Sequence, residues 1–143
     1  MYEKILVPTD GSEGAQHALE EALELARRFD AVVHSLSIVD TTAVPPDTDY
    51  AGAFDSFEGI AERTTDDAVA RTEEAGVEAV RAVRTGTPHR SILDYADEND
   101  IDLVVMGTHG RTGIQRYLLG SVTEKVVRTA DVPVLTVRAP EDE

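Results

Sequence analysis

Five short runs of mostly apolar and often β-branched residues alternate along the chain with segments whose apolar residues recur every three or four positions. The short runs are typical of strands, and the longer segments are typical of amphipathic helices. A helix between two successive strands is the connection that joins parallel strands. The pattern therefore predicts an α/β fold, a five-stranded parallel doubly wound sheet with helices on both faces.

The predicted strands are short and rich in aliphatic side chains, and they cover residues 5–7, 31–39, 77–84, 101–106 and 132–137. The predicted helices cover residues 14–29, 57–76, 88–99 and 118–127. Pro133 stands early in the last strand, which favours an edge position because proline cannot donate a hydrogen bond to a neighbouring strand. An uncovered edge strand can pair with a second copy of the chain, which favours a dimer.

The length of 143 residues suits a single domain that extends over residues 1–143. Residues 41–56 interrupt the alternating pattern with two prolines, a glycine and several acidic residues. We predict a long variable loop there, and loops of this length usually carry a function or are disordered. Residues 139–143 are predicted to form an acidic tail.

Acidic side chains outnumber basic ones by 28 to 13, which gives a formal net charge of -15. This charge repels phosphate backbones and anionic lipids, so neither nucleic acid nor a membrane is the expected partner. The dense carboxylates are typical of a halophile, with an ordinary acidic protein as the alternative. The absence of cysteine excludes disulfides and thiolate chemistry. No segment resembles a signal peptide or a membrane span, which predicts a cytoplasmic protein.

Ligands of doubly wound sheets bind beyond the carboxyl ends of the strands, where the strand order reverses. Two segments qualify, residues 8–12 after the first strand and residues 107–110 after the fourth. The second segment starts a glycine-rich run, and residues 120–123 then open the last helix. Glycine backbone, a helix N-terminus and hydroxyl groups together favour phosphate binding. The alternative is that the glycines serve tight turns and that Ser121 caps the helix.

The pattern Gly107-x2-Gly110-x9-Gly120-Ser121 resembles the nucleotide signature of the universal stress protein family. The opening segment 5–12, the triplet 86–88 and the closing segment 132–135 resemble that family as well. The resemblance implies a Rossmann-like fold of the adenine nucleotide alpha hydrolase type. It also implies the ATP-binding branch of the family, with ATP, ADP or AMP as the ligand and a regulatory role in the stress response.

The resemblance implies a set of nucleotide-binding residues by position. Asp10 would lie beside the ribose, and the backbone of Ile38 would meet the adenine. A carboxylate at position 10 can accept from both ribose hydroxyls, although it could instead cap the following helix. The complete set is Pro8, Thr9, Asp10, Ile38, Met106, Gly107, His109, Gly110, Arg111, Gly120, Ser121, Val122 and Thr123.

Arg111 and Arg116 are the natural cations for the outer phosphates, or else surface charges that face acidic neighbours. Any Mg²⁺ or Mn²⁺ would be held by the phosphates, because the histidines outside the glycine-rich run stand far apart in sequence without ligand spacing. His109 has no serine, carboxylate or second histidine in its segment that would activate a nucleophile with it. The sequence therefore predicts no catalytic residue and no metal ligand.

The chain lacks both the P-loop motif and the dinucleotide fingerprint. We expect an adenine-nucleotide-binding regulatory protein with at most slow ATP hydrolysis. One alternative is a genuine ATPase that uses His109 and Arg111, and another is a dimeric interaction module with a vestigial pocket. A phosphate-accepting domain that uses Asp10 would need clustered acids and a nearby lysine. The resemblance also implies a homodimer through the last strand, from Val132 to Val137.

Overall fold

The computed structural model describes residues 2–41, 50–108 and 121–138, with the backbone alone for residues 50–55. Strands and helices alternate along the chain in the order β1 (Lys4–Pro8), α1 (Glu13–Phe29), β2 (Val32–Asp40), α2 (Tyr50–Glu74), β3 (Ala79–Gly86), α3 (Pro88–Glu98), β4 (Leu103–Gly107), α4 (Ser121–Thr129) and β5 (Val134–Val137). All neighbouring strands pair in parallel, in the order β3-β2-β1-β4-β5. The predicted α/β fold with a five-stranded parallel sheet is confirmed.

Two apolar cores cover the two faces of the sheet. Alternate residues of a strand point to opposite faces, so Ile5 packs in one core and Leu6 in the other. The buried alanine and leucine stripe of α1 lies in the first core, together with Ala68 of α2. The second core takes its helical side chains from α3 and α4. Helices therefore lie on both faces, as the sequence pattern predicts.

The strand order reverses between β1 and β4. From β1 the chain builds outward to β2 and β3, and it then crosses back to add β4 and β5 on the other side. The segments that follow β1 and β4 therefore leave the sheet in opposite directions and open a crevice between them. Both segments singled out in the sequence for ligand binding begin at this crevice.

The second helix begins earlier than predicted. α2 starts at Tyr50, so the prediction of a loop over residues 41–56 is wrong for residues 50–56, while residues 42–49 lie outside the described chain. The aromatic residues at positions 50, 54 and 57 already have helical spacing, and a single glycine at 52 is tolerated at a modest cost. The glycine and the acidic residues interrupt the apolar pattern. The helical periodicity therefore begins about two turns earlier than the sequence pattern indicates.

The last strand is short and lies at an edge. β5 begins at Val134, directly after Pro133, and pairs only with β4 in the described sheet. The prediction of an edge strand is therefore confirmed. The predicted acidic tail at residues 139–143 lies outside the described chain. No helix in the described ranges combines the length and the apolarity that crossing a membrane requires.

Candidate functional site

A cavity of about 580 Å³ opens at the carboxyl ends of β1, β2 and β4. This volume is within the usual range of small-molecule sites. Its walls come from the loop after β1, the end of β2, the first half of α2 and the first turns of α3 and α4. The cavity thus occupies the crevice where the strand order reverses.

The cavity collects every predicted nucleotide-binding residue that the structure describes. These nine residues come from four separate segments, and they are Pro8, Thr9, Asp10, Ile38, Met106, Gly107, Ser121, Val122 and Thr123. The other four predicted residues, and Arg116, lie outside the described chain, and they are His109, Gly110, Arg111 and Gly120. The structure brings the nine together although up to 115 positions separate them in sequence (123 minus 8).

The loop after β1 is held by a chain of short hydrogen bonds. The N–H of Thr9 donates to the carbonyl of Leu36 at 2.8 Å, which ties the loop to β2. The N–H of Ser12 donates to Oδ1 of Asp10 at 2.9 Å. The N–H of Ala15 donates to Oγ of Ser12 at 3.2 Å, so Ser12 is the helix cap. Asp10 therefore stabilises the turn rather than capping α1, and its exposed carboxylate lines the cavity.

The backbone of Ile38 faces the cavity side of β2. In a parallel strand the N–H and C=O groups of one residue point to the same neighbour and those of the next residue point away. The carbonyl of Leu36 accepts from Thr9 on the β1 side, so the polar groups of Ile38 point to that side too. β1 ends at Pro8, opposite Leu36. Ile38 lies two residues beyond Leu36, so its backbone N–H and C=O groups lie past the end of β1.

Gly107 is needed for packing between β4 and α1. A Cβ atom at this position would lie 2.7 Å from the carbonyl oxygen of Gly14 and 2.9 Å from its carbonyl carbon. Both atoms belong to the backbone of α1, so neither can move aside cheaply. The sequence interpretation gave this glycine a role in anion approach or a tight turn, whereas the structure shows close contact between helix and strand.

The first turn of α4 lines the cavity with Ser121, Val122 and Thr123. Ser121 is the first residue of the helix, and the leading N–H groups of a helix have no partner within it. The hydroxyl of Thr123 donates to the carbonyl of Gly107 at 2.9 Å and is buried. This hydroxyl proton is therefore committed to β4, so position 123 can offer a phosphate its backbone N–H but not its side-chain proton.

The described walls of the cavity carry negative side chains and no positive ones. Asp10 and Asp40 line it, and no described lining residue is a lysine, arginine or histidine. The positive potential available from these walls comes from the N-terminal ends of helices. Within the described ranges, no group of three or more histidine and acidic side chains could bind a metal ion.

Sequence reasoning missed the wall formed by α2. Its lining residues recur at helical spacing and are Phe57, Ile60, Ala61 and Thr64. Their periodicity was visible in the sequence, but an apolar stripe is the expected signature of core packing. The missing information was that residues 57–64 of α2 lie against the cavity at the carboxyl end of the sheet.

A buried histidine lies beside α3, away from the cavity lining. Nδ1 of His34 is 2.7 Å from the hydroxyl of Tyr95, and their rings meet edge to face. Burial, with a smaller contribution from the charge of Lys4, lowers the pKa of His34 below 6.5. Burial raises the pKa of Tyr95 above 10.0, against an opposing effect of Arg84, which lies 5.1 Å from the centre of the ring. The pair forms a structural element of the second core.

Similarity to known proteins extends over the whole fold. A family model described as the universal stress protein family matches residues 1–138. The universal stress protein MJ0531 of Methanocaldococcus jannaschii is 35% identical over 150 residues, which covers 100% of this chain and 86% of that protein. These matches include all the segments that line the cavity.

Solved structures agree with the sequence relatives. Protein MJ0577 of Methanocaldococcus jannaschii superposes with a TM-score of 0.89 at 29% identity, covering 99% of both chains. A universal stress protein in complex with cAMP gives a TM-score of 0.74 at 26% identity, covering 97% of this chain and 98% of the other. That of Archaeoglobus fulgidus in complex with dAMP gives 0.73 at 25% identity, covering 94% and 97%. By its sequence, its sheet topology and these matches, this chain belongs to the universal stress protein family.

Proposed function

We propose that this chain binds an adenine nucleotide in the cavity at the carboxyl end of its sheet and acts as a regulatory protein of the stress response. The observation that carries the proposal is the convergence of nine predicted contact residues, from four segments, on one cavity. Two solved relatives bound to cAMP and dAMP support the ligand class. This convergence supports the proposal more strongly than the ligands of the relatives do, because it concerns residues of this chain.

The order of the strands suits the order of the parts of a nucleotide. The backbone of Ile38 lies in β2, the carboxylate of Asp10 follows β1, and the N-terminus of α4 lies beyond β4. Adjacent strands are about 4.8 Å apart, so these three features are spread over roughly 10 Å. Base, ribose and phosphate would occupy them in that order. A carboxylate beside the ribose accepts from its hydroxyls, and the helix N-terminus holds the anion.

The ligand is proposed to be AMP, ADP or ATP, with any Mg²⁺ or Mn²⁺ bound through the phosphates. The donors at the first turn of α4 suit one phosphate group. Further phosphates would rely on Arg111 and Arg116, the two arginines between the end of β4 and the start of α4 in sequence. Direct coordination of the metal by protein side chains is not part of the proposal.

A homodimer through the last strand is part of the same proposal. β5 is an edge strand, and Leu135 on it is 38% exposed. The carbonyls of Pro133 and Val137 accept from β4, so the backbone groups of Val134 and Thr136 point outward from the sheet. A second copy of β5 could add to that edge across a two-fold axis. Nucleotide binding would then shift the equilibrium between monomer and dimer. The proposed compartment is the cytoplasm, which the lack of cysteine favours.

The experiment is a calorimetric titration of the parent chain and of an Asp10→Asn variant with AMP, ADP and ATP, each with and without Mg²⁺. Asparagine keeps the oxygen that accepts from Ser12 but cannot accept from two ribose hydroxyls. We expect the variant to bind AMP about tenfold more weakly, as the loss of one charged hydrogen bond predicts. The loss should be smaller for dAMP, which lacks one hydroxyl.

Asp66→Asn is the matched control. It removes the same charge from an exposed carboxylate of α2 that pairs with Arg81 at 3.3 Å. We expect it to bind like the parent. A parent chain that binds no adenine nucleotide at millimolar concentration would overturn the proposal and favour a dimeric interaction module with a vestigial pocket.

A further inference from the structure

Phe57 lies on the cavity-facing stripe of α2, at the end nearer the start of the helix. The stripe runs through positions 57, 60, 61 and 64. Thr64 approaches the loop after β1, since a Cβ atom at Gly11 would lie 3.4 Å from its hydroxyl oxygen. Seven residues of helix rise about 10 Å, so Phe57 lies roughly that distance further along α2. Phe57 therefore lines a part of the cavity nearer the start of α2 than the contact between Thr64 and that loop.

The position of α2 puts Phe57 on the side proposed for the base. α2 packs on β2 and β3, the strands on one side of β1, whereas the phosphate end lies on the other side, beyond β4. Phe57 is the single aromatic residue among the described lining residues. Phe57 is 37% exposed, so part of its surface is open to contact with a bound molecule.

We propose that the ring of Phe57 packs against the face of the bound base and supplies much of the affinity for it. The inference rests on the proposed nucleotide site and adds a residue that the family signature does not contain. Base recognition would then have two parts. The backbone N–H and C=O groups of Ile38 would hydrogen-bond to the edge of the base. The ring of Phe57 would stack on the face of the base, which would bury the exposed surface of the ring.

The division of roles makes a quantitative prediction. Stacking of a base on an aromatic ring contributes about 1–3 kcal/mol, so Phe57→Ala should weaken AMP binding by roughly 5- to 150-fold. Phe57→Leu, which keeps an apolar side chain, should show a smaller loss. Ribose 5-phosphate has no base, so its affinity should be the same for the parent and both variants. Because the ring is partly exposed, both variants should fold like the parent. Circular dichroism of each variant would verify that it is folded.

The absence of tryptophan from the sequence offers a direct spectroscopic test. Phe57→Trp creates the sole tryptophan of the chain at the proposed stacking position. Phe29→Trp is the matched control, since Phe29 ends α1, is similarly exposed at 38% and packs against Tyr2 with ring centres 5.2 Å apart. AMP should quench the fluorescence of the first variant and leave the second unchanged. Ribose 5-phosphate should affect neither.

Two outcomes separate this inference from the proposed function. If the parent binds AMP, yet Phe57→Ala binds it equally well and the Phe57→Trp signal does not change, the stacking role is wrong and the nucleotide site stands. The stacking role is also wrong if ribose 5-phosphate loses affinity as much as AMP does. If the parent binds neither ligand at millimolar concentration, the proposed function itself fails, and the inference fails with it.

Discussion

Gly107 ends β4 against the first turn of α1, where the backbone of Gly14 leaves no room for a methyl group. Asp10 similarly stabilises the turn before α1 through the N–H of Ser12. Both residues belong to the predicted nucleotide set, and both are needed for local structure before any ligand binds. A loss of binding on substitution of Gly107 would therefore report on folding as well as on contact.

Gly107→Ala should lower the free energy of unfolding by about 1–3 kcal/mol, because the new methyl group forces α1 and β4 apart. Chemical denaturation in the absence of nucleotide measures this effect. Gly59→Ala is the control, since its Cβ atom would meet only the end of the Arg63 side chain at 3.5 Å within α2. That helical substitution should raise stability by about 0.5–1 kcal/mol. Equal effects of the two substitutions would contradict the packing role.

His34 makes the stability of the chain depend on pH. Its pKa is lowered in the folded state by burial and by Lys4, so the unfolded chain binds a proton more readily. Stability from the neutral ring is present above pH 6.5 and is lost as the pH falls below that value. Melting temperatures of the parent should fall between pH 7.5 and 5.5, and those of His34→Asn should fall less.

The control for this pH dependence is His89→Asn, which removes a less buried histidine at the start of α3. It should keep the slope of the parent. Tyr95, the hydrogen-bond partner of His34, has a raised pKa and stays neutral over this range. If the melting temperatures of the parent and of His34→Asn fall equally between pH 7.5 and 5.5, the buried ring does not control the pH dependence of stability.

Among the elements, the strands were predictable because four of them carry a compact apolar run, while β3 has a weaker pattern in which Arg81 and Arg84 alternate with apolar residues. The early start of α2 was not, since a glycine and acidic residues interrupt an aromatic spacing that is already helical. Periodicity identifies the apolar face of a helix, but it does not show which part of that face lines a cavity. The helical spacing of Phe57 therefore did not reveal that it lines the cavity.

The outer edge of β5 can be blocked by a single substitution. Thr136 points its N–H away from β4, so Thr136→Pro removes an outward donor without breaking the bonds between β4 and β5. We expect the variant to sediment as a folded monomer and the parent as a dimer. Thr136→Ala keeps the N–H and should remain dimeric. An unchanged dimer in the proline variant would rule out pairing through this edge.

The whole molecule carries a net charge of -15, and two of the acidic residues that contribute to it, Asp10 and Asp40, line the cavity. An anionic ligand is therefore repelled by the negative charge of the protein as it approaches the cavity. Screening shortens the range of repulsion from about 10 Å at 0.1 M salt to about 3 Å at 1 M. The charge composition was readable in the sequence, whereas the negative character of the walls required the folded arrangement.

Affinity for AMP should therefore rise several-fold as KCl increases from 0.1 to 1 M, opposite to the behaviour of a site built from lysine and arginine. Adenosine has no charge and serves as the control ligand, with a nearly constant affinity. Isothermal titration over the salt series measures both. An affinity for AMP that falls with salt would indicate that cations outside the described walls dominate binding.

The central claim is that an adenine nucleotide binds at the carboxyl edge of the sheet, where β1, β2 and β4 end. The most direct test is a two-dimensional amide NMR titration with AMP, for which a chain of 15.5 kDa is well suited. We expect shifts at residues 9–12, 37–40 and 121–123, and none at the opposite edge near Tyr2, Ala31 and Ile101. No shift at millimolar AMP, or shifts confined to another surface, would contradict it.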